Sequence, residues 1–251
     1  MNPVEFGRAV LISRVASGQW HALEDDLVVG RGDVSRRPDG RMFVSVDAWH
    51  GTAFDNLAAA MLAALPRPLH TVVDEADLDL TDRWRRAGFT IRRREWEFAV
   101  PTGLDSAPHP PGMTITAFGR AREAPLRALD RTIRDEVAAG SGWQDMPAEV
   151  LAPARLDLSK YAVAEQSGHY VGLLRVTAST RLPRIGLVAV RTDHRRRGIA
   201  RALLAHALGA LHGAGKPTAS AEVTESNVAA TALFEGLGAR RTGSNLELVL
   251  R

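Results

Sequence analysis

The sequence contains no cysteine, little tyrosine and no long apolar run. The absence of cysteine excludes disulfides, thiolate metal sites and a cysteine nucleophile. A membrane-spanning helix needs ~18–20 consecutive apolar residues, and the longest candidate, residues 57–65, is about half that length. The N-terminal segment MNPVEFGRAV lacks the basic and apolar regions of a signal peptide. We therefore expect a soluble, cytoplasmic protein that does not bind a membrane.

Lysine is also scarce. Arginine supplies all but two of the 32 basic residues, and the net charge is only +3. The densest arginine clusters, residues 92–94 and 195–197, are short, whereas a nucleic-acid-binding surface would gather its charge into a stripe with interleaved aromatic residues. The eight histidines show no metal-ligand spacing such as HExxH. We expect neither a nucleic-acid partner nor a metal site.

A proline-rich segment divides the chain. Residues 108–112, PHPPG, fix φ and remove backbone donors, which indicates an extended linker. The sequence therefore predicts one domain at residues 1–105, a linker at 106–112 and a second domain at 113–251.

The two halves contain a weak internal repeat. Residues 78–100 match residues 228–250 at a constant offset of 150, so that Trp84 corresponds to Phe234 and Gly88 to Gly238. Each copy is typical of a strand, then a short helix closed by glycine, then a final strand.

Hydrophobic patterns predict strands and helices in both halves. In the second half we predict strands at 161–165, 171–178, 185–190 and 219–223, and helices at 121–139, 147–151, 199–213 and 228–237. In the first half we predict strands at 19–24, 27–34 and 42–46, and a helix at 52–65. Strands that alternate with helices favour an α/β fold with a mixed sheet in each half.

The most informative stretch is residues 186–205, GLVAVRTDHRRRGIARALLA. A buried strand leads into a basic loop, then Gly198, then a helix. The N-terminus of a helix offers unpaired N–H groups and a partial positive charge, and glycine lets a ligand approach the backbone. The pattern therefore predicts an anion site that could hold a pyrophosphate. The alternative is a solvated basic turn.

Two motifs resemble those of the GNAT acyltransferases. Arg195-x-x-Gly198-x-Ala200 resembles the family's pyrophosphate loop, and residues 221–238, AEVTESNVAATALFEGLG, resemble its later motif. The resemblance implies acetyl-CoA as cofactor, held in part by the backbone of Val188, Ala189 and Val190. It also implies contacts from the loop and the helix that follows it, through Arg195, Arg196, Arg197, Gly198, Ile199, Ala200 and Arg201. Asn227 and Phe234 would lie along the pantetheine arm. Asn227 could also be a helix N-cap.

Acyl transfer to an amine needs a neutral nucleophile and a proton for the leaving thiolate. Glu222 is the best candidate base, on a spacing that matches the N-terminal acetyltransferase branch of the family, although it could be an ordinary exposed strand residue. Glu225 and Asp193 are weaker candidates. Phe234 stands where the family usually has a tyrosine acid, so water or the ammonium product would have to protonate the thiolate.

The first half has no comparable loop. Residues 47–52, DAWHGT, lack the R-x-x-G-x-G/A pattern, and Val72, Asp77 and Trp84 occupy the base, Asn and acid positions. This resembles tandem GNAT proteins in which one half has lost its cofactor site. We predict two GNAT-like domains, the N-terminal one truncated and degenerate.

The acceptor should lie over residues 135–150. Trp143 could cover an apolar group, and Asp135, Glu136 and Asp145 could hold a cationic amine; an ordinary surface loop is the alternative. The sequence therefore predicts an N-acyltransferase, monomeric or homodimeric, that moves an acetyl or other acyl group from acyl-CoA to an amine of a small molecule or peptide. The alternative is a non-catalytic coenzyme A-binding pseudoenzyme with a regulatory or structural role.

Overall fold

The computed structural model describes residues 9–37, 40–103, 110–140, 156–177 and 182–251. They divide into two compact units. Unit 1 contains the chain up to Arg94 together with Ser244–Arg251, and unit 2 contains Glu95–Gly243. None of the helices in these ranges is both long and apolar enough to cross a membrane.

Unit 1 is a mixed sheet with two helices on one face. Its strands are β1 (Leu11–Ala16), β2 (Gln19–Glu24), β3 (Leu27–Arg36), β4 (Met42–Ala48), β5 (Leu69–Asp74) and the ends of β6 (Thr90–Pro101) and β12 (Arg240–Leu250) that fall within it; its helices are α1 (Gly51–Ala64) and α2 (Leu78–Arg86). The strands from β1 to β5 lie in chain order, followed by β12, and only the β4–β5 pair is parallel. The helices cover the core through Leu57, Met61 and Trp84.

Unit 2 has the same plan with an added helix. Its strands are β7 (Met113–Thr116), β8 (Tyr161–Gln166), β9 (His169–Thr177), β10 (Arg184–Val190), β11 (Thr218–Thr224) and the remainder of β6; its helices are α3 (Glu123–Ala139), α4 (Ile199–Gly213) and α5 (Val228–Glu235). The order is β7-β8-β9-β10-β11-β6, again with one parallel pair, β10–β11. The helices α4 and α5 pack on one face and α3 on the other.

The two units share a strand order, which agrees with the predicted tandem arrangement. The copies differ most at their first connection: β1 and β2 are joined by the turn residues Ser17 and Gly18, whereas α3 lies between β7 and β8. The described part of unit 1 therefore has no counterpart of α3, which agrees with a truncated N-terminal copy.

The compact units differ from the division of the chain at residues 106–112. The C-terminal part of β6 pairs with β11 from Thr218↔Pro101 to Thr224↔Glu95, so this part of a first-half strand belongs to unit 2. The end of β12 pairs with β5 and belongs to unit 1. Each half of the sequence thus contributes the C-terminal part of its last strand to the other unit, and a cut at the proline-rich segment would remove core residues from both units.

Most predicted elements are confirmed. The helix predicted at 199–213 has the same bounds as α4, and the helix predicted to reach residue 237 ends at Glu235. The strands β1, β5 and β7 were not predicted individually. The helix predicted at 147–151 lies outside the described residues.

A buried carboxylate organises one face of unit 1. Glu247 lies on β12 with 3% of its side chain exposed, and four side chains contact it: Arg41, Arg92 and Arg93 at 2.9, 2.9 and 2.8 Å, and His70 at 3.0 Å. Burial alone would raise the pKa of Glu247. The hydrogen bond that His70 Nδ1 donates and the three guanidinium charges outweigh it, and they lower the pKa from its ordinary 4.5 to about 2.

Candidate active site

The parallel strands β10 and β11 separate soon after they meet. Their register consists of Arg184↔Ser220 and Ile185↔Ala221, whereas β10 stays paired with β9 as far as Val190. Among the described residues, the edge of β10 from Gly186 to Val190 therefore has no strand beside it on the β11 side. Backbone N–H and C=O groups along this edge can bond an extended ligand. Val188, Ala189 and Val190, the residues predicted to do so, all lie on it.

A basic loop joins β10 to α4. Arg196 and Gly198 have left-handed φ values of 64° and 81°, so the chain turns tightly over residues 196–198. Gly198 is the N-cap of α4 and provides no side-chain hydrogen bond. The first N–H groups of α4 are therefore not capped by this residue, and they carry the partial positive charge of the helix N-terminus. This is the local geometry on which the predicted anion site depends.

Two arginines of the loop stabilise it from within. Arg195 Nε donates to the carbonyl of Val190 at 3.2 Å, and Arg197 Nη2 donates to the carbonyl of Asp193 at 2.9 Å. Side chains at Arg195, Arg196, Arg197 and Arg201 remain exposed, whereas Ile199 is buried and anchors the start of α4. The loop is thus both fixed in shape and positively charged at its surface.

Glu136 contacts the loop between β10 and α4. It lies near the end of α3, and its carboxylate accepts from Thr192 N at 2.9 Å and from Thr192 Oγ1 at 2.8 Å. Its other neighbour is Arg195, at 3.8 Å. Glu136 thus contacts the loop after β10, and its role in holding an acceptor amine stays a prediction. Asp135 is exposed on α3, and Trp143 and Asp145 lie outside the described residues.

Glu222 forms an ion pair that the sequence did not indicate. Its Oε2 lies 2.6 Å from Arg184 Nη2, and each side chain is 29% exposed. Its neighbours on β11, Ala221 and Val223, belong to the core beneath α4, so Glu222 points to the opposite face of the sheet. Glu222 is also the first residue of β11 beyond the last position paired with β10. Glu222 therefore lies where the opening between β10 and β11 begins.

The helix α5 supplies the two remaining predicted residues. Asn227 is its N-cap, and its side chain accepts from Ala230 N at 3.0 Å, so the capping interpretation holds. Phe234 is 3% exposed and stacks on Phe98 with ring centroids 6.0 Å apart. Neither tyrosine replaces it as an acid on this helix, because both lie on the β8–β9 hairpin and are buried.

The corresponding place in unit 1 has the opening without the loop. The strands β4 and β5 pair only at Met42↔Leu69 and Phe43↔His70, as β10 and β11 do. However, two residues, 49 and 50, join β4 to α1, whereas eight, 191–198, join β10 to α4. His50 caps α1 by accepting from Ala53 N at 3.3 Å. The side chain of His50 thus already accepts from one of the first N–H groups of α1.

The described residues contain no group of three or more His, Asp or Glu that could hold a metal ion. The candidate site of unit 2 has three parts. These are the separating parallel strands β10 and β11, the cationic loop before the start of α4, and the carboxylate of Glu222 where the strands begin to separate.

Comparison with known proteins finds a matching family model and several similar solved structures. Residues 129–239 match the model of the acetyltransferase (GNAT) family. A GCN5-related N-acetyltransferase from Sphaerobacter thermophilus superposes with a TM-score of 0.70 at 17% identity, over 95% of this chain and 82% of that one. A tandem GNAT protein from the clavulanic acid biosynthesis pathway superposes with a TM-score of 0.66 at 14% identity, over 92% and 82%. A third, from Kribbella flavida, gives 0.62 at 19% identity, over 96% and 89%.

At these identities the structural likeness is one of fold. A search of the curated proteins found no match. The family match covers residues 129–239, and the two-unit mixed α/β fold is like that of solved GNAT structures.

Proposed function

We propose that the protein is an N-acyltransferase that takes an acetyl or other acyl group from acyl-CoA and transfers it to an amine of a small molecule or peptide. The observation that carries the proposal is the junction of the strand opening with the uncapped start of α4. The GNAT fold supports acyl transfer in general, and this junction is what fits coenzyme A in particular.

The residues present fit the two parts of the cofactor. The loop of residues 195–198 and the first N–H groups of α4 would hold the pyrophosphate. The exposed edge of β10, with Val188, Ala189 and Val190, would bond the pantetheine amides, and Asn227 can donate from its Nδ2 because its Oδ1 already accepts from Ala230 N.

Acyl-CoA supplies a thioester: the amine nitrogen forms the new C–N bond, the C–S bond breaks, and the proton lost by the amine balances the one gained by the thiolate. Glu222 would take the proton from the incoming ammonium, directly or through one water. Arg184 fixes the direction of this carboxylate at 2.6 Å. Since Phe234 has no hydroxyl group, solvent or the ammonium product would protonate the thiolate.

One alternative rests on specific observations. Phe234 is buried against Phe98, and the Glu222 carboxylate is engaged by Arg184. Both features would suit a protein that binds coenzyme A for a regulatory or structural purpose without turnover. A single-turnover assay with acetyl-CoA and a broad amine panel separates the two. Amide formation supports the enzyme, and coenzyme A binding without amide formation supports the alternative.

For the enzyme we propose a cytoplasmic location and a monomeric or homodimeric state.

We expect one acetyl-CoA per chain. Of the two corresponding connections that the structure describes, the one after β10 has eight residues and could hold the pyrophosphate, whereas the one after β4 has two residues and a capped helix start. Isothermal titration calorimetry should give a stoichiometry of one. Two sites per chain, or loss of binding after changes confined to residues 49–51, would contradict this assignment.

Gly198→Val should weaken coenzyme A binding at least ~10-fold, since a side chain would stand where the pyrophosphate approaches the helix. Gly198 has a φ of 81°, so the substitution also strains the backbone. Gly215→Val is the matched control: its φ is 73°, a Cβ added there would meet no atom within 4 Å, and it follows the far end of α4. Equal affinity losses in the two variants would show that strain, and not the loop, is responsible.

A further inference from the structure

Arg175 occupies a distinctive place on β9. It lies opposite Leu187 of β10 and Tyr161 of β8, and both neighbours belong to the core that α3 covers. Arg175 is therefore on the same face of the sheet as Glu222. Its guanidinium lies over Gly186: a Cβ added to this glycine would be 3.4 Å from Nη2 and 3.5 Å from Nε. The absence of a side chain at Gly186 lets the guanidinium lie against the β10 backbone.

This guanidinium has no counter-ion among the described residues. Its Nε is buried without a hydrogen-bond partner, and Arg175 forms no ion pair with any residue in those ranges. By contrast, Arg184 on the same face contacts Glu222 at 2.6 Å. A guanidinium that is partly removed from water without an anion is costly, so an anion that binds there would be favoured.

The position of Arg175 relative to the opening between β10 and β11 indicates which ligand would carry this anion. Gly186 is the first residue of β10 beyond its pairing with β11, and Glu222 is the first of β11. The guanidinium over Gly186 and the carboxylate of Glu222 therefore flank the opening on one face. Their strands are two spacings apart, about 10 Å, and both side chains can reach over β10. A molecule between them would present one end to each.

We propose that the acceptor is an amine that also carries a carboxylate, with the carboxylate bound by Arg175 and the amine directed toward Glu222. This inference rests on the proposed function, and it differs from the prediction that Asp135, Glu136 and Asp145 hold a cationic amine. The reaction is the transfer already described, with the amine nitrogen bonded to the acyl carbon, the C–S bond broken, and the amine proton balanced by the thiol product.

The test compares acids with their own amides. The probes are free amino acids and dipeptides, each paired with its carboxamide, at saturating acetyl-CoA, with coenzyme A release as the readout. The wild-type protein should prefer acids at least ~10-fold in kcat/KM, mainly through KM. Arg175→Gln should bring the acid-to-amide ratio close to one, and Arg175→Lys should retain part of it. Arg127→Gln, which changes an exposed arginine paired with Glu123 on α3, should leave the ratio unchanged.

Thermal unfolding with the same probes, with and without coenzyme A, provides a readout that needs no turnover. Acids should raise the melting temperature more than amides, and Arg175→Gln should abolish the difference. A wild-type ratio near one, a ratio that survives Arg175→Gln, or no acid-dependent shift in any condition would overturn the proposal. If coenzyme A binds and amides react as well as acids, only the acceptor class is wrong. If coenzyme A does not bind, the proposed function fails, and the acid-dependent shift without coenzyme A still decides whether Arg175 binds a carboxylate.

Discussion

Glu222→Gln should lower turnover about 100-fold while the affinity for acetyl-CoA stays unchanged, the usual scale for loss of a general base. The side chain keeps its shape, and its amide oxygen can still accept from Arg184, which lies 2.6 Å from the native carboxylate. What is lost is the capacity to take a proton. The carboxylate is held by Arg184 where the two strands begin to separate, and it is not among the groups proposed to bond the cofactor, so cofactor binding should not depend on it.

The difference in turnover between the wild type and Glu222→Gln should depend on pH. At low pH the acceptor amine is mostly protonated, so the wild-type advantage over Glu222→Gln should be largest there. At high pH the amine loses its proton to solvent, and the difference between the two proteins should shrink. Initial rates across pH, at saturating acetyl-CoA, measure both effects.

Glu225→Gln is the matched control for the same chemical change. Glu225 follows β11 in the exposed turn before α5 and is the weaker candidate base. We expect wild-type turnover from this variant. Full turnover from Glu222→Gln at every pH would show that catalysis depends on positioning alone, and a loss confined to Glu225→Gln would move the base to that residue.

The cofactor loop could be predicted from the sequence because its determinants are local. Gly198 with its left-handed φ, the arginines before it and the apolar period of α4 all lie within a few turns of chain. The same is true of Asn227, whose capping bond reaches only three residues. Such features depend on neighbours in sequence, which a pattern of residues records directly.

The exchange of final strands could not be predicted in this way. The stretches WEFAV of β6 and LELVL of β12 have the same alternation of apolar and polar residues. Alternation fixes which side chains face a core, and either sheet could accept either strand. Partners distant in sequence were missed for a related reason: Glu136 meets Thr192, 56 residues away. Arg175 lies opposite Leu187 because the register shifts between Ile185 and Leu187, and the residues of β9 alone do not indicate that shift.

Glu247→Gln should destabilise the protein by about 3 kcal/mol at pH 7, the free energy that corresponds to lowering a carboxyl pKa from 4.5 to about 2. The native carboxylate is 3% exposed and is the common partner of Arg41, Arg92 and Arg93. A neutral amide keeps the volume and leaves three guanidinium groups around an uncharged centre. Removing one partner of a buried ionic cluster is typically worth several kcal/mol, in agreement with this figure.

The same pKa determines how stability changes with pH. Because the folded-state pKa lies below the ordinary value, the contribution of Glu247 is complete above about pH 4.5 and is lost as the pH falls toward 2. Urea unfolding followed by circular dichroism between pH 2.5 and 7 should show wild-type stability falling across this window, with the difference from Glu247→Gln narrowing as it falls. Glu123→Gln, which removes an exposed ion pair with Arg127, should cost no more than ~0.5 kcal/mol at any pH. Parallel curves for the wild type and Glu247→Gln would mean that the carboxylate is not the charged centre of this cluster, and that the three arginines are balanced in another way.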